Sequence, residues 1–175
     1  MTTDLLSSPL SCADSATPSP EMGVASRAGQ RVLLLGATGT IGIATARALL
    51  RRGHEVVCLV RPRQGAGSAQ TDTNLSERLA GAKIMWGNAT EESFWKQADL
   101  ARARFDAVVS CMASRMGSPQ DAWRVDHQAH VWALQAAQAA GVKQFVQLSA
   151  ICVQKPLLAF QHAKLAFEKA LIESG

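Results

Sequence analysis

Three glycines at regular spacing form the clearest chemical motif of the chain. Gly36, Gly39 and Gly42 follow an apolar run directly and precede an amphipathic segment. Glycine permits a tight turn and a close approach of the backbone, and the first turn of a helix offers unbonded N–H groups and a positive dipole. This arrangement suits a pyrophosphate, so we predict a dinucleotide-binding loop. Its predicted contact residues are Gly36, Thr38, Gly39, Thr40, Ile41 and Gly42.

Two arginines follow the next apolar run, Glu55–Val60, at positions 61 and 63. Sites that prefer NAD usually place an acidic residue here to bond the ribose 2′-hydroxyl, whereas arginine accommodates a 2′-phosphate. No Asp or Glu occurs between Val56 and Gln70. The pattern therefore favours NADPH as cofactor, with Arg61 and Arg63 as ligands of the 2′-phosphate. For Arg63 a purely solvated side chain stays open as the alternative.

Two further strand ends should contribute to the same crevice, because ligands bind at the carboxyl ends of parallel strands. Asn88 and Ala89 follow the third apolar run, and we expect them near the adenine. Cys111, Met112 and Ala113 follow the fourth run, and we expect them along the ribose and the middle of the cofactor.

Apolar runs and amphipathic segments alternate along the chain from Arg31 onward. Continuous apolar runs are typical of buried parallel strands, and strands that alternate with helices imply right-handed crossovers. We therefore predict an α/β fold with a doubly wound parallel sheet of the Rossmann type. The predicted strands are 32–35, 55–60, 83–86, 107–110 and 144–148, and the main helices are 41–52, 120–140 and 158–173.

The domain organisation follows from composition. Residues 1–30 are rich in Ser, Thr, Ala and Pro without periodicity, which predicts a disordered extension, and residues 31–175 form the NADP-binding domain. The extension has neither an apolar core of a signal peptide nor the arginine excess of a transit peptide. The 145 residues after the extension suffice for five strands but not for a sixth strand and a substrate-binding region, so we expect the domain to be incomplete at its C-terminal end.

Charge and cysteine content narrow the class of partner. The net charge of +4 is spread out rather than gathered into a basic stripe, which argues against nucleic acid and for a small anionic ligand. No run of eighteen apolar residues occurs, so we expect no transmembrane helix. The four cysteines are far apart, which indicates a reducing, cytoplasmic compartment. The oligomeric state and a peripheral association with membranes stay open.

The histidines and tryptophans of the chain can be explained by structural roles as well as by ligand binding. His127 and His130 lie three residues apart on a predicted helix, but no third ligand stands at a suitable spacing, so we predict no metal site. His162 as an axial ligand of a bound metal is less favoured than a structural role. The four tryptophans could stack on a flat ligand, although core packing accounts for most of them.

The glycine pattern, the arginine after the second strand and Ser149 after the fifth resemble the short-chain dehydrogenase/reductase superfamily. Its usual members pair a Tyr with a Lys four residues later. Here Lys164 is present, Phe160 stands four residues before it, and the chain contains no Tyr at all. Phenylalanine cannot donate a proton, so the usual carbonyl chemistry is not expected. The chain resembles the atypical, isoflavone-reductase-like and NmrA-like branch instead.

Within that branch, the segments 109–115, 126–129 and 148–164 are similar to the divinyl (proto)chlorophyllide 8-vinyl reductase family, and the resemblance covers residues 31–175. It implies reduction of the 8-vinyl group of a Mg-chlorin by NADPH, in the cytoplasm of a phototrophic bacterium. It also implies that Lys164 bonds the nicotinamide ribose, that Ser149 belongs to the site, and that His162, Lys164 or water donates the proton. A non-catalytic NADP-sensing regulator is the alternative function. A sugar-nucleotide epimerase would need the Tyr.

Overall fold

The apolar runs of the sequence form five parallel strands in a computed structural model that describes residues 29–62 and 74–175. The order across the sheet is β3-β2-β1-β4-β5, with all neighbours parallel. This confirms the predicted Rossmann-type α/β fold. The strands are β1 (Arg31–Leu35), β2 (Glu55–Val60), β3 (Lys83–Trp86), β4 (Ala107–Ser110) and β5 (Gln144–Gln147).

The central strands bury alternate side chains on opposite faces of the sheet. Leu33 and Leu35 of β1 belong to one apolar cluster, whereas Leu34 between them belongs to the other. Val57 and Cys58 of β2 divide in the same way. Because both faces are covered, these strands read as continuous apolar runs instead of alternating ones.

Helices cover both faces, and the long predicted ones lie where the sequence places them. They are α1 (Thr40–Arg51), α2 (Glu92–Gln97), α3 (Leu100–Ala103), α4 (Pro119–Ala122), α5 (Ala129–Ala139) and α6 (Ala159–Glu173), with a short helical segment over 74–78. The short helices α2 and α3 and the segment 74–78 were not expected from the sequence, since few turns give little periodicity. None of the helices in the described ranges is long and apolar enough to span a membrane.

The helix predicted over 120–140 is interrupted by a π-helical turn, Trp123–Gln128, between α4 and α5. A π-helical turn inserts extra backbone and rotates the side chains that follow it, and such turns are frequent at functional sites. Here the turn and the first residues of α5 bring Asp126 and His130 into the interior, where neither is exposed to solvent. The uninterrupted helix was thus the wrong geometry for this segment.

The turn between β1 and α1 depends on close backbone contacts. Gly36 has φ +73°, and a Cβ added there would lie 2.7 Å from the carbonyl of Cys111 and from the amide nitrogen of Met112. A Cβ on Gly42 would lie 2.2 Å from the carbonyl oxygen of Gly36. Gly36 thus lets the loop after β1 rest directly on the chain that leaves β4, and Gly42 lets the first turn of α1 pack against that loop.

Two sequence predictions fall outside the described residues. The expected disorder of residues 1–30 concerns a segment of which only residues 29 and 30 are described, and Arg63 lies in the undescribed range 63–73. Both stay predictions.

Replacing Gly36 by Ala should strongly destabilise the fold. A left-handed backbone costs an L-residue about 1–2 kcal/mol, and the collision with the backbone at Cys111 and Met112 adds to that cost. We expect a loss of about 3 kcal/mol or more in the free energy of unfolding, measured by urea titration. Gly53→Ala is the matched control: Gly53 has φ +80° but no atom within 4 Å of the added Cβ. An equal loss in both variants would show that the contact with the chain after β4 is unimportant.

Candidate functional site

A cleft of about 680 Å³ opens at the carboxyl ends of the strands, beside the glycine loop. Its walls come from that loop and from the ends of β2, β3 and β4. The structure therefore brings together residues that the sequence separates widely. The predicted cofactor-binding residues that line the cleft are Gly36, Thr38, Gly39, Thr40, Ile41, Gly42, Arg61, Asn88, Ala89, Cys111, Met112 and Ala113.

The N-terminus of α1 has the properties that a diphosphate requires. The amide of Ile43 is bonded to the carbonyl of Gly39 at 2.9 Å, so the earlier amides of Thr40, Ile41 and Gly42 have no acceptor within the helix. Gly39 caps the helix without a side chain, and no acidic residue stands in the first turn. The loop thus offers N–H groups and a positive dipole to an anion.

Gly39 differs from the other two glycines of the motif. A Cβ on Gly39 would come no closer than 3.5 Å to any atom, the nearest being the carbonyl oxygen of Gly36. The packing of the chain therefore does not require a glycine here. The absence of a side chain instead leaves space at the cleft surface, which fits the close approach of a phosphate group to the backbone.

The ends of β2 and β3 form the side of the cleft where the sequence predicts the adenosine. Arg61 is exposed and lines the cleft. Trp86, which pairs with Val60 across the two strands, is 48% exposed and lines it as well. The side chain of Asn88 is already occupied: it donates to Glu91 at 2.8 Å and accepts from the hydroxyl of Thr90 at 2.9 Å. Any contact of Asn88 with an adenine therefore has to use its second amide proton.

Lys164 is almost completely buried beneath the opposite wall of the cleft. Its ammonium donates to the carbonyl of Met112 at 3.0 Å and forms an ion pair with Asp126 at 3.3 Å. Asp126 in turn accepts the amide of Ser114 at 3.2 Å. Met112 and Ser114 both line the cleft, whereas Lys164 contacts it through them. The pair therefore fixes the backbone of this wall of the cleft.

A neutral histidine, His130, stabilises the same stretch of backbone through buried hydrogen bonds. Burial and the positive charge of Lys164 lower the pKa of His130 to about 3, so its ring is uncharged. Its Nδ1–H donates to the carbonyl of Val125 at 2.9 Å, and its Nε2 accepts from the hydroxyl of Ser110 at 2.7 Å. The Ser110 oxygen also accepts the amide of Met112 at 3.3 Å. His130 thus has a structural role in place of a metal-binding one.

Asp121 organises the loop between β4 and α4. Its carboxylate accepts the amides of Met116 and Arg115, each at 3.1 Å, and pairs with Arg124 at 3.0 Å. These hydrogen bonds lower the pKa of Asp121 and keep it ionised, and the bond from the amide of Met116 contributes most. The sequence indicates only that Asp121 is an acidic residue in the first turn of a helix. The structure shows that its carboxylate also anchors the loop before that helix.

The other two predicted catalytic residues are exposed, and neither lines the cleft. The hydroxyl of Ser149 donates to Glu168 of α6, which stands one turn beyond Lys164. His162 lies on the exposed side of α6, and Phe160 is half-buried near its start. The fold thus places Ser149 beside the Lys164 face of α6 but does not bring its hydroxyl to the cleft.

Sequence reasoning missed Asp126 as the partner of Lys164. The available signal was the spacing of four residues between Asp126 and His130, which places both on one face of the predicted helix. No three His, Cys, Asp or Glu side chains of the described ranges converge into a metal-binding group.

Comparison with known proteins gives a consistent picture. A family model described as "NAD dependent epimerase/dehydratase family" matches residues 32–170. The chain is 47% identical over 141 residues to the divinyl chlorophyllide a 8-vinyl-reductase of Oryza sativa subsp. indica, a match covering 80% of this chain and 35% of that protein. It is 31% identical over 146 residues to the photosystem II assembly factor Ycf39 of Synechocystis sp., covering 83% and 41%. The chain therefore spans about a third of the length of the reductase.

A solved structure extends the comparison. The fold matches the binary complex of leucoanthocyanidin reductase with NADPH from Vitis vinifera with a TM-score of 0.61 and 26% sequence identity. The match covers 83% of this chain and 46% of that one.

Asp126→Asn should destabilise the protein severely, because it leaves the Lys164 ammonium buried without its counter-ion. Removing one partner of a buried pair costs about 3–5 kcal/mol, and we expect a loss of that size in urea unfolding. Glu92→Gln is the control, since it breaks the exposed Glu92–Lys96 pair and should cost under about 1 kcal/mol. Similar losses in both variants would contradict the structural importance of the buried pair.

Proposed function

The chain belongs to the NAD dependent epimerase/dehydratase family, and from that premise we propose that the full-length protein reduces the 8-vinyl group of divinyl (proto)chlorophyllide to ethyl, with NADPH as hydride donor. The observation that carries this proposal is a buried Lys164 together with Phe160, which has no acidic proton, four residues before it on the same helix. The 47% identity to a protein named as an 8-vinyl-reductase supports it.

The side chains at the site suit a substrate without a reacting oxygen. Reduction of a carbonyl needs a proton donor next to the developing alkoxide, and Phe160 supplies none. Ser149 is no substitute, because its proton is already donated to Glu168. A vinyl group makes no such demand: a hydride adds to one carbon, the conjugated ring delocalises the charge, and a proton then adds to the other carbon.

Lys164 is our candidate for the residue that orients the nicotinamide half of the cofactor. A lysine ammonium has three N–H donors, and Met112 and Asp126 occupy two of them. The third has no partner among the described residues, and we assign it to a ribose hydroxyl of a cofactor bound against Met112 and Ser114. A bound reduced nicotinamide would supply the hydride, while the protein supplies its position and a positive charge close to it. His162, which is solvent-accessible, and water are the candidates for the proton source alongside Lys164.

The charges along the cleft support NADPH over NADH. Arg61 stands where an NAD-specific site would place a carboxylate. Among the described residues that line the cleft, Asp121 is the one carboxylate, and Arg124 and backbone amides already neutralise it. A 2′-phosphate would therefore meet positive charge at the end of β2.

Addition of NADPH and the full-length protein to divinyl chlorophyllide should shift the Soret band as the vinyl conjugation is lost. Lys164→Met should slow this reaction by roughly 100-fold or more, because the cofactor loses its orienting donor. Lys169→Met, on the same helix and exposed, is the control and should react normally.

Two results would oppose this function. Tight NADPH binding without any spectral shift would favour a cofactor-sensing protein over a reductase. Near-normal turnover of the folded Lys164→Met variant would remove Lys164 from the mechanism.

Arg61→Ala should raise the KM for NADPH by about tenfold or more and leave the KM for NADH within about twofold. The lost hydrogen bonds are made to a charged phosphate that NADH lacks, and such bonds contribute about 1.5–3 kcal/mol. Steady-state kinetics with each cofactor provides the measurement. An equal increase for both cofactors would contradict recognition of the 2′-phosphate by Arg61.

A further inference from the structure

The helical segment 74–78 is held against the sheet by two leucines. Leu75 is 8% exposed and Leu79 only 1%, and both belong to the apolar cluster that contains Cys58 and Val60 of β2. Residues four apart share a face of a helix. Burial of Leu75 and Leu79 therefore fixes the orientation of this segment and the direction in which its polar residues project.

The polar residues that precede these leucines, Asn74 and Arg78, line the same cleft as Arg61. They approach it from the β2–β3 side, where Trp86 also stands at the cleft surface. Leu75 packs in one cluster with Val60, the residue immediately before Arg61. The structure thus brings a second guanidinium to the β2 end of the cleft from an element that the sequence pattern did not predict.

Arg78 has no counter-ion within the described part of the chain. The ion pairs found there involve other cations, and the carboxylate that lines the cleft, Asp121, is bonded to Arg124. The Arg78 side chain is exposed to solvent. A planar guanidinium with several donors and no carboxylate partner among the described residues is suited to bind a phosphate through paired hydrogen bonds.

We propose that Arg78 is a second ligand of the adenosine 2′-phosphate and, with Arg61, determines the preference for NADPH. This inference rests on the proposed use of NADPH. The position of Arg78 separates this role from substrate binding: it stands beside β2 and β3, whereas Lys164 lies behind the loop that leaves β4, on the other side of β1 in the sheet. Arg78 therefore meets the adenosine end of the cofactor and not its reacting end.

The experiment measures dissociation constants of NADPH, NADH and adenosine 2′-monophosphate for the full-length protein by isothermal titration calorimetry. Arg78→Ala should weaken NADPH and adenosine 2′-monophosphate by about 10- to 100-fold and leave NADH within about twofold. Arg78→Lys should recover part of the loss, because it keeps the charge without the paired donors. Arg47→Ala, an exposed arginine of α1 outside the cleft, should change none of the three values.

The possible contrary results distinguish the role of Arg78 from the proposed preference for NADPH. Equal affinity of the unaltered protein for NADPH and NADH would overturn the cofactor preference itself, and Arg78 with it. A preference that is lost in Arg61→Ala but kept in Arg78→Ala would overturn the role of Arg78 alone. Equal weakening of both dinucleotides by Arg78→Ala, in a variant with unchanged thermal stability, would place Arg78 at a group common to both and also overturn it.

Discussion

The buried ion pair between Lys164 and Asp126 is the interaction on which the cleft depends. Two charges inside a protein are stable only when their remaining donors and acceptors are satisfied as well. Here the backbone bonds each charge once more: the carbonyl of Met112 accepts from Lys164, and the amide of Ser114 donates to Asp126. The pair therefore joins three elements that are distant in sequence: α6, the π-helical turn and the loop after β4. A change in either charge would affect the cleft wall directly.

The same loop is fixed from its other side by glycine. Gly36 lies so close to Cys111 and Met112 that no side chain fits between them. The chain leaving β4 is thus confined between the glycine loop and the buried pair, and His130 and Ser110 hold its first residues in place. A backbone confined in this way presents a constant surface to a cofactor, which explains why a conformationally costly turn and a costly buried charge occur side by side.

The sequence predicts the parts of this arrangement that local patterns encode. Strands buried on both faces appear as apolar runs, and the glycine motif follows from the turn after β1. The Lys164–Asp126 pair could not be predicted, because it joins two helices whose relative position only the tertiary fold determines. The π-helical turn was missed for a related reason: its backbone geometry is stabilised by the buried bonds of Asp126 and His130, not by helix propensity. Arg78 escaped notice because its helical segment is too short to show a period.

The distribution of charge along the cleft is the basis of the direction that we propose for a bound dinucleotide. Arg61 and Arg78 stand at the β2–β3 side, the N-terminus of α1 occupies the middle, and Lys164 lies behind the β4 side. Phosphates can be neutralised at the first two positions, whereas at the third the charge of Lys164 is already paired with Asp126. Arg115, in the loop after β4, also lines the cleft and lies near Gly39, so positive charge continues from the β2–β3 side across the glycine loop. With the adenosine phosphate beside Arg61 and Arg78, as proposed, the nicotinamide would lie on the side of α6, where Phe160 has no acidic proton for carbonyl chemistry.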